Sequence, residues 1–347
     1  MRTSAAEPNR FLHRFAWFTA GATVLLICSG GMVTSKGVGL AVPDWPTTFG
    51  YNMFFFPFSK WIGGIFFEHT HRLIASLIGL LTIILAVWLW RAQTERWLKV
   101  LGLVSLGAVI LQGILGGLRV TLLKDEIGIF HACLAQAFLG LLVVIALALS
   151  PTWRRLAQSS FNISSKALTV FALIISGLIY TQLALGATMR HQHRDLSILD
   201  FPLAYGRIIP PTDSASLVRI NEVRDKQALS DVSAAQIWLQ WWHRLVGAIV
   251  GLTIIGFWVW VRREAKTSSV LPKLAGVWLG LVIIQITLGG WTILSNKAAD
   301  IATAHVAFGA ITFAVGIATC ALLIRSQQLS QTSGASLTSP QLTEVAL

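Results

Sequence analysis

Glu68-His69-Thr70-His71-Arg72 opens an apolar run that continues from Leu73 to Trp90. The pattern returns as Gln240-Trp241-Trp242-His243-Arg244, ahead of a second run from Leu245 to Val261. Each run is close to the ~20 residues a helix needs to cross the hydrocarbon of a bilayer. Backbone groups inside that hydrocarbon can bond only to one another, so such a run is a helix. Each copy therefore sets a histidine and an arginine at the mouth of a membrane-spanning helix. The first copy alone adds a carboxylate, three residues before its histidine.

The rest of the chain fits this frame. Of its 347 residues, 54% are hydrophobic and only 12% are charged, against about 25% charged in a soluble domain. Eight apolar segments are long enough to span, near 12–34, 69–90, 98–120, 129–149, 167–189, 240–261, 273–294 and 302–324. The fold class read from this pattern is all-α and integral to the membrane. The basic start followed by an apolar run resembles a signal peptide, but no small-residue cleavage site follows, so it reads as a retained first helix. The net charge of +12 comes mainly from Lys and Arg between spans, which is membrane topology and gives no ground for a nucleic-acid partner. Fourteen of these residues fall on the side of both termini and five in the short loops opposite. Both termini are therefore expected in the cytoplasm, in a bacterial-type inner membrane. Cys28, Cys133 and Cys320 all lie inside apolar runs, where packing is their expected role, and Cys-x-x-Cys-His is absent, which excludes covalent c-type haem attachment.

The halves repeat. Besides the two motifs above, Gln112 and Gly116-Gly117 match Gln285 and Gly289-Gly290, and His131 matches His305. Asp44-Trp45-Pro46 with Gly50 matches Asp200-Phe201-Pro202 with Gly206. Four spans per half is an even number, so both halves cross in the same sense, as a parallel repeat. The expected architecture is two four-helix bundles: residues 1–150, residues 151–325, then a disordered tail over 326–347. The Gly pairs are expected to let helices approach closely. The long loop 190–239 is a candidate lid, and the aromatic loop near 35–67 is expected to dip into lipid headgroups or cover a site.

His71, His131, His243 and His305 each begin an even-numbered span, so all four sit at one depth, two per bundle. Facing histidines on a bundle are a common way to hold haem iron. Arg72 and Arg244 are placed to meet haem propionates. A di-iron centre would need more carboxylates than Glu68, and a zinc-protease helix would need His-Glu-x-x-His. His69 falls on another helix face, His13 near the far boundary, and His191 and His193 in a polar, solvated loop. Glu68 can accept a proton or stabilise a developing cation; Gln240 can do neither as an anion.

Glu-x-x-His-Arg on span two, His131, His243-Arg and His305, the Asp-Trp-Pro loop and the four-plus-four repeat together resemble haem A synthase, over about residues 12–324. The first outer loop has no cysteine pair, so the chain is similar to the branch without one. The resemblance implies oxidation of the C8 methyl of haem O to a formyl group, giving haem A for terminal oxidases. It implies His71 and His131 as ligands of the substrate haem, His243 and His305 as ligands of a resident haem b, and Glu68 as the catalytic carboxylate. A haem O synthase and an unidentified electron acceptor are the implied partners. Bis-histidine iron has no open position, so water is the expected oxygen source. A dihaem b-type cytochrome passing electrons from a quinol is the alternative, and a repeat-built transporter without haem a further one.

Overall fold

The computed structural model describes residues 9–92, 94–158, 165–192, 196–264 and 270–337. They form α1 (Arg10–Ser35), α2 (Gly63–Arg91), α3 (Arg96–Leu122), α4 (Asp125–Ala148), α5 (Pro151–Gln158), α6 (Lys166–His191), α7 (Ser214–Lys226), α8 (Ala234–Glu264), α9 (Val270–Leu294) and α10 (Ala299–Leu337). Eight of these are long and apolar enough to cross a membrane, all but α5 and α7. Asn9 caps α1 by accepting from the amides of Phe11 and Leu12, and Ser165 caps α6 through Leu168, each satisfying amides that the helix leaves open.

Helix edges run past the apolar cores that mark them in sequence. α2 begins at Gly63 and α8 at Ala234, so Glu68 and Gln240 lie more than a turn inside their helices. α10 continues to Leu337, well beyond residue 325, where loss of hydropathy suggested its end; polar residues prolong a helix that has already left the hydrocarbon. Residues 338–347 of the expected tail lie outside the described residues.

α1 to α4 close into one ring, with α1 on α2, α2 on α3, α3 on α4 and α4 on α1; α6, α8, α9 and α10 close in the same order. The rings meet through α1 on α10, α6 on α4, and α4 on α10. Burial follows this plan: 61% of the spanning window of α10 and 44% of that of α4 is buried, against 17% for α3 and for α9. The outer helices keep Val104, Ile110, Ile283 and Ile286 exposed, a lipid-facing apolar surface that would be an anomaly in water. Each ring has its own core. Ile78, Leu85, Leu139 and Leu142 fill the first; Ile175, Ile254, Phe257 and Trp278 fill the second.

Two loops on one face have the same core geometry. Asp44 accepts from the amides of Phe49 and Gly50, and Asp200 from those of Tyr205 and Gly206. Gly50 at φ +76° and Gly206 at φ +74° complete the turns, a backbone region open mainly to glycine. The second loop inserts α7 and builds a small core from Ile198, Ala204, Ile220, Val232 and Ile237. Arg224 ties it together through the carbonyls of Ser230 and Leu196.

Candidate functional site

The four span histidines are positioned alike. A methyl group at Gly30 on α1 would sit 2.9 Å from Cε1 of His71, and one at Gly116 on α3 would sit 3.3 Å from that of His131. In the second ring, Gly186 and Gly289 stand in the same relation to His243 and His305, at 3.3 and 3.2 Å. Every ring therefore lies against a neighbouring helix at a glycine, where a methyl would clash at Gly30 and crowd the ring at the other three. Gln112 donates to the carbonyl of His131 at 3.1 Å, and Gln285 to that of His305 at 2.8 Å. Remaining contacts differ between halves: Ser29 Oγ meets Nδ1 of His71 at 2.7 Å, whereas Gln182 Nε2 meets Nε2 of His243 at 3.1 Å.

The ring centroids of His243 and His305 are 6.5 Å apart. An atom bonded to one nitrogen of each ring at about 2 Å, with each centroid about 1.2 Å behind its nitrogen, would separate two axial rings by roughly 6.4 Å. Nδ1 of His131, His243 and His305 is buried without a hydrogen-bond partner among the described residues. Burying a polar atom unpaired is unfavourable, and ring orientation is interchangeable at this level of detail, so each of these rings has a nitrogen to offer. Among the described residues no three His, Cys, Asp or Glu side chains gather. A bare ion would thus find at most two protein ligands per ring of helices. Two is the number that an iron held in its own macrocycle requires. The residues present fit haem.

The other histidines stand apart. His69 packs under the first loop, with ring centroids 4.7 Å from Trp61 and 5.1 Å from Phe56, and Thr48 at 3.2 Å from its Nδ1. His13 meets the carbonyl of Ala146 at the opposite end of the bundle. His191 departs from expectation. It lies in the last turn of α6, only 8% exposed, against Gly128, because α6 runs further than its apolar core. His193 lies outside the described residues.

Glu68 and Arg72 form a buried ion pair of 2.8 Å, with side chains 5% and 10% exposed. Glu68 Oε2 also accepts from the amide of Val42 at 2.9 Å. Arg72 donates through Nη1 to the carbonyls of Asp44 and Thr47, and through Nη2 to that of Val42. Gln240 repeats the pattern, accepting from the amide of Ile198 at 2.6 Å and donating to its carbonyl. Arg244 donates to Leu203 and Ile198. Both pairs are loop clamps. At Arg72 a propionate could take the terminal nitrogens only by displacing loop carbonyls or Glu68, whereas Nε of Arg244 is buried with no hydrogen-bond partner among the described residues.

The Gly pairs also do something other than bring helices together. The first glycine of each receives a histidine edge. The second receives the aromatic ring of the loop: a methyl at Gly117 would meet Trp45 at 2.4 Å, and one at Gly290 would meet Phe201 at 2.9 Å. In the loop, burial pushes the Asp44 carboxyl up, but hydrogen bonds from Gly50, Thr47 and Phe49 outweigh it and hold the group below the usual carboxylate range. Burial raises the Tyr205 hydroxyl, which donates to the carbonyl of Ser197.

Fold and site together define a polytopic helical membrane protein built around two half-buried histidine pairs, one in each ring of helices. The chain belongs to the COX15-CtaA family of cytochrome oxidase assembly proteins, whose model matches residues 58–317. A protein named "Heme A synthase" from Shouchella clausii (strain KSM-K16) is 27% identical over 296 residues, covering 84% of this chain and 89% of that protein. Another of that name from Nitrosomonas eutropha (strain DSM 101675 / C91 / Nm57) is 30% identical over 271 residues, covering 74% and 71%. A third from Geobacillus kaustophilus (strain HTA426) is 25% identical over 325 residues, covering 88% and 90%.

Proposed function

We propose that this chain is a haem A synthase, oxidising the C8 methyl of haem O to a formyl group. The first ring of helices holds the substrate between His71 and His131. The second holds a resident haem b between His243 and His305, and haem b when bound supplies one-electron redox chemistry. The halves are related by an axis along the membrane normal. The matched contacts support this, since α1 on α10 and α6 on α4 are the same contact seen from each half. The loops face outward and the termini face the cytoplasm.

One observation carries the assignment of roles. Gln240 holds its loop amide as Glu68 holds its own, so a neutral amide suffices for the clamp. The loop amide bond therefore does not require the charge at Glu68, which pairs with Arg72 and occurs in one half only. Three residues before His71, Glu68 shares a helix face with it.

With a histidine on each side of the substrate iron, oxygen comes from water. In the first round the methyl carbon gains a hydroxyl from water and releases two electrons and two protons. In the second the alcohol carbon does the same, and the resulting gem-diol loses water to leave the aldehyde. Glu68 takes the protons or stabilises the electron-poor carbon. The four electrons pass to a membrane acceptor. Product oxygen that tracks labelled O₂ instead of labelled water would defeat this route. The assignment itself is tested by extracting the haems of purified protein made with a haem O supply. Haem b together with haem A is expected. Two haem b per chain and no haem A would favour the electron-transfer cytochrome.

A further inference from the structure

Arg72 already spends both terminal nitrogens on its loop and on Glu68, which leaves other cations near the first histidine pair better placed to receive a propionate. Lys36 lies over the ring of Phe67 and Lys60 over that of Tyr51. Arg119 is different. It is half-buried in the last turns of α3, one turn beyond Gly116, so it shares the face that receives His131 and projects from it toward the loops. Its guanidinium lies flat on bare backbone: a methyl at Gly39 would stand 2.9, 3.1 and 3.3 Å from Nη2, Nη1 and Cζ. It is within electrostatic reach of His71 and His131 and of the carboxylates of Glu68 and Asp125. Among the described residues its side chain makes no hydrogen bond and no ion pair, the one ion pair there being Glu68 with Arg72.

The second half lacks this group. Thr292 occupies the matching place and turns its hydroxyl back onto Leu288. The arginine nearest His305 is Arg190, from α6, and it binds the carbonyls of Ala302 and Gly31 and the hydroxyl of Ser35. A planar fork whose donors make no hydrogen bond among the described residues, beside one histidine pair only, is suited to a carboxylate that arrives and departs.

We propose that Arg119 is the propionate clamp of the substrate haem, a binding and positioning residue that fixes which edge of the macrocycle points outward. This rests on the first ring being the substrate site. The test uses the purified chain carrying its resident haem, titrated with haem O and with haem O dimethyl ester, bound ligand being counted by mass after extraction. Wild type is expected to bind the free acid about 10- to 100-fold more tightly than the diester. Arg119→Gln is expected to bind both as weakly as wild type binds the diester, and Arg119→Lys to regain part of the preference. An Arg119→Gln variant that keeps the wild-type preference overturns the proposal. So does equal binding of acid and diester by wild type, a comparison that needs no variant to fold. Wild type that binds neither would instead remove the substrate-site reading beneath it.

Discussion

Replacing Glu68 separates the clamp from the chemistry. The carboxylate accepts from Val42 at 2.9 Å and from Arg72 at 2.8 Å, both deep enough that solvent screens little. In Glu68→Gln the amide oxygen keeps the Val42 bond while the charge-assisted bond to Arg72 is lost, a cost of about 1.5–3 kcal/mol. Turning the amide nitrogen onto a loop carbonyl, as Gln240 does with Ile198, recovers about 1 kcal/mol. The net destabilisation is about 0.5–2 kcal/mol. Glu68→Ala removes both bonds and strands a buried guanidinium, at about 3–5 kcal/mol. Turnover should fall by about 10²- to 10⁴-fold in both variants if Glu68 handles protons. Thermal unfolding and protease cutting between residues 36 and 62 report the clamp; mass spectrometry of extracted haems reports turnover. Glu68→Gln should thus be nearly native in stability while accumulating haem O or a partly oxidised haem. Glu68→Gln making haem A within tenfold of wild type would refute the catalytic role, and equal stability of the Gln and Ala variants would refute the clamp.

The glycines that receive the histidines make a second prediction. Gly30→Ala brings a methyl within 2.9 Å of His71, so the absorption spectrum of haem bound in the first ring should change while that of the second ring does not. Gly113→Ala, with open space around it, should leave both spectra unaltered. Gly117→Ala should displace Trp45, which a methyl there would meet at 2.4 Å, and expose the first loop to protease. Adding Trp45→Phe should restore protection only in part, since in the other half a methyl at Gly290 would still meet Phe201 at 2.9 Å. Acid should act on the loops late. The Asp44 carboxyl is depressed in the folded state, so its contribution to loop order is complete above the unfolded value of about 3.9 and fades as pH falls through the lower folded value. Protease resistance of the first loop should therefore be flat from neutral pH down to about pH 4 and decline below it. A decline already at pH 6 would place the responsible group elsewhere.

Several features were legible in the chain because each depends on local order alone. The eight spans follow from hydropathy, since a bilayer demands apolar length whatever the neighbours are. The repeat and the four histidines follow from register within those spans. Helix ends were less legible. Hydropathy marks where a helix leaves lipid, not where it stops, which is why α10 runs on to Leu337 and His191 is buried within α6.

Partners of side chains belong to tertiary structure. The sequence showed the two Gly pairs and their matching offset, yet adjacent glycines in a membrane helix suit any close approach. Only the packing of α4 and the first loop against α3 assigns one glycine to His131 and its neighbour to Trp45. The glycines opposite His71 and His243 lie on α1 and α6, and the spacing of 156 residues from Gly30 to Gly186 equals that from Asp44 to Asp200, so the repeat itself carries a signal for them. Arg72 next to a histidine reads as a candidate propionate contact; only the fold shows the loop of carbonyls bent over it and Arg119 without a hydrogen bond or ion pair from its side chain among the described residues. By itself the sequence determined which residue types lie at which depth, because the membrane acts on each segment separately. Which of them meet was decided by helix packing and loop return, because a hydrogen bond or a ring contact depends on two segments brought together across many residues of chain.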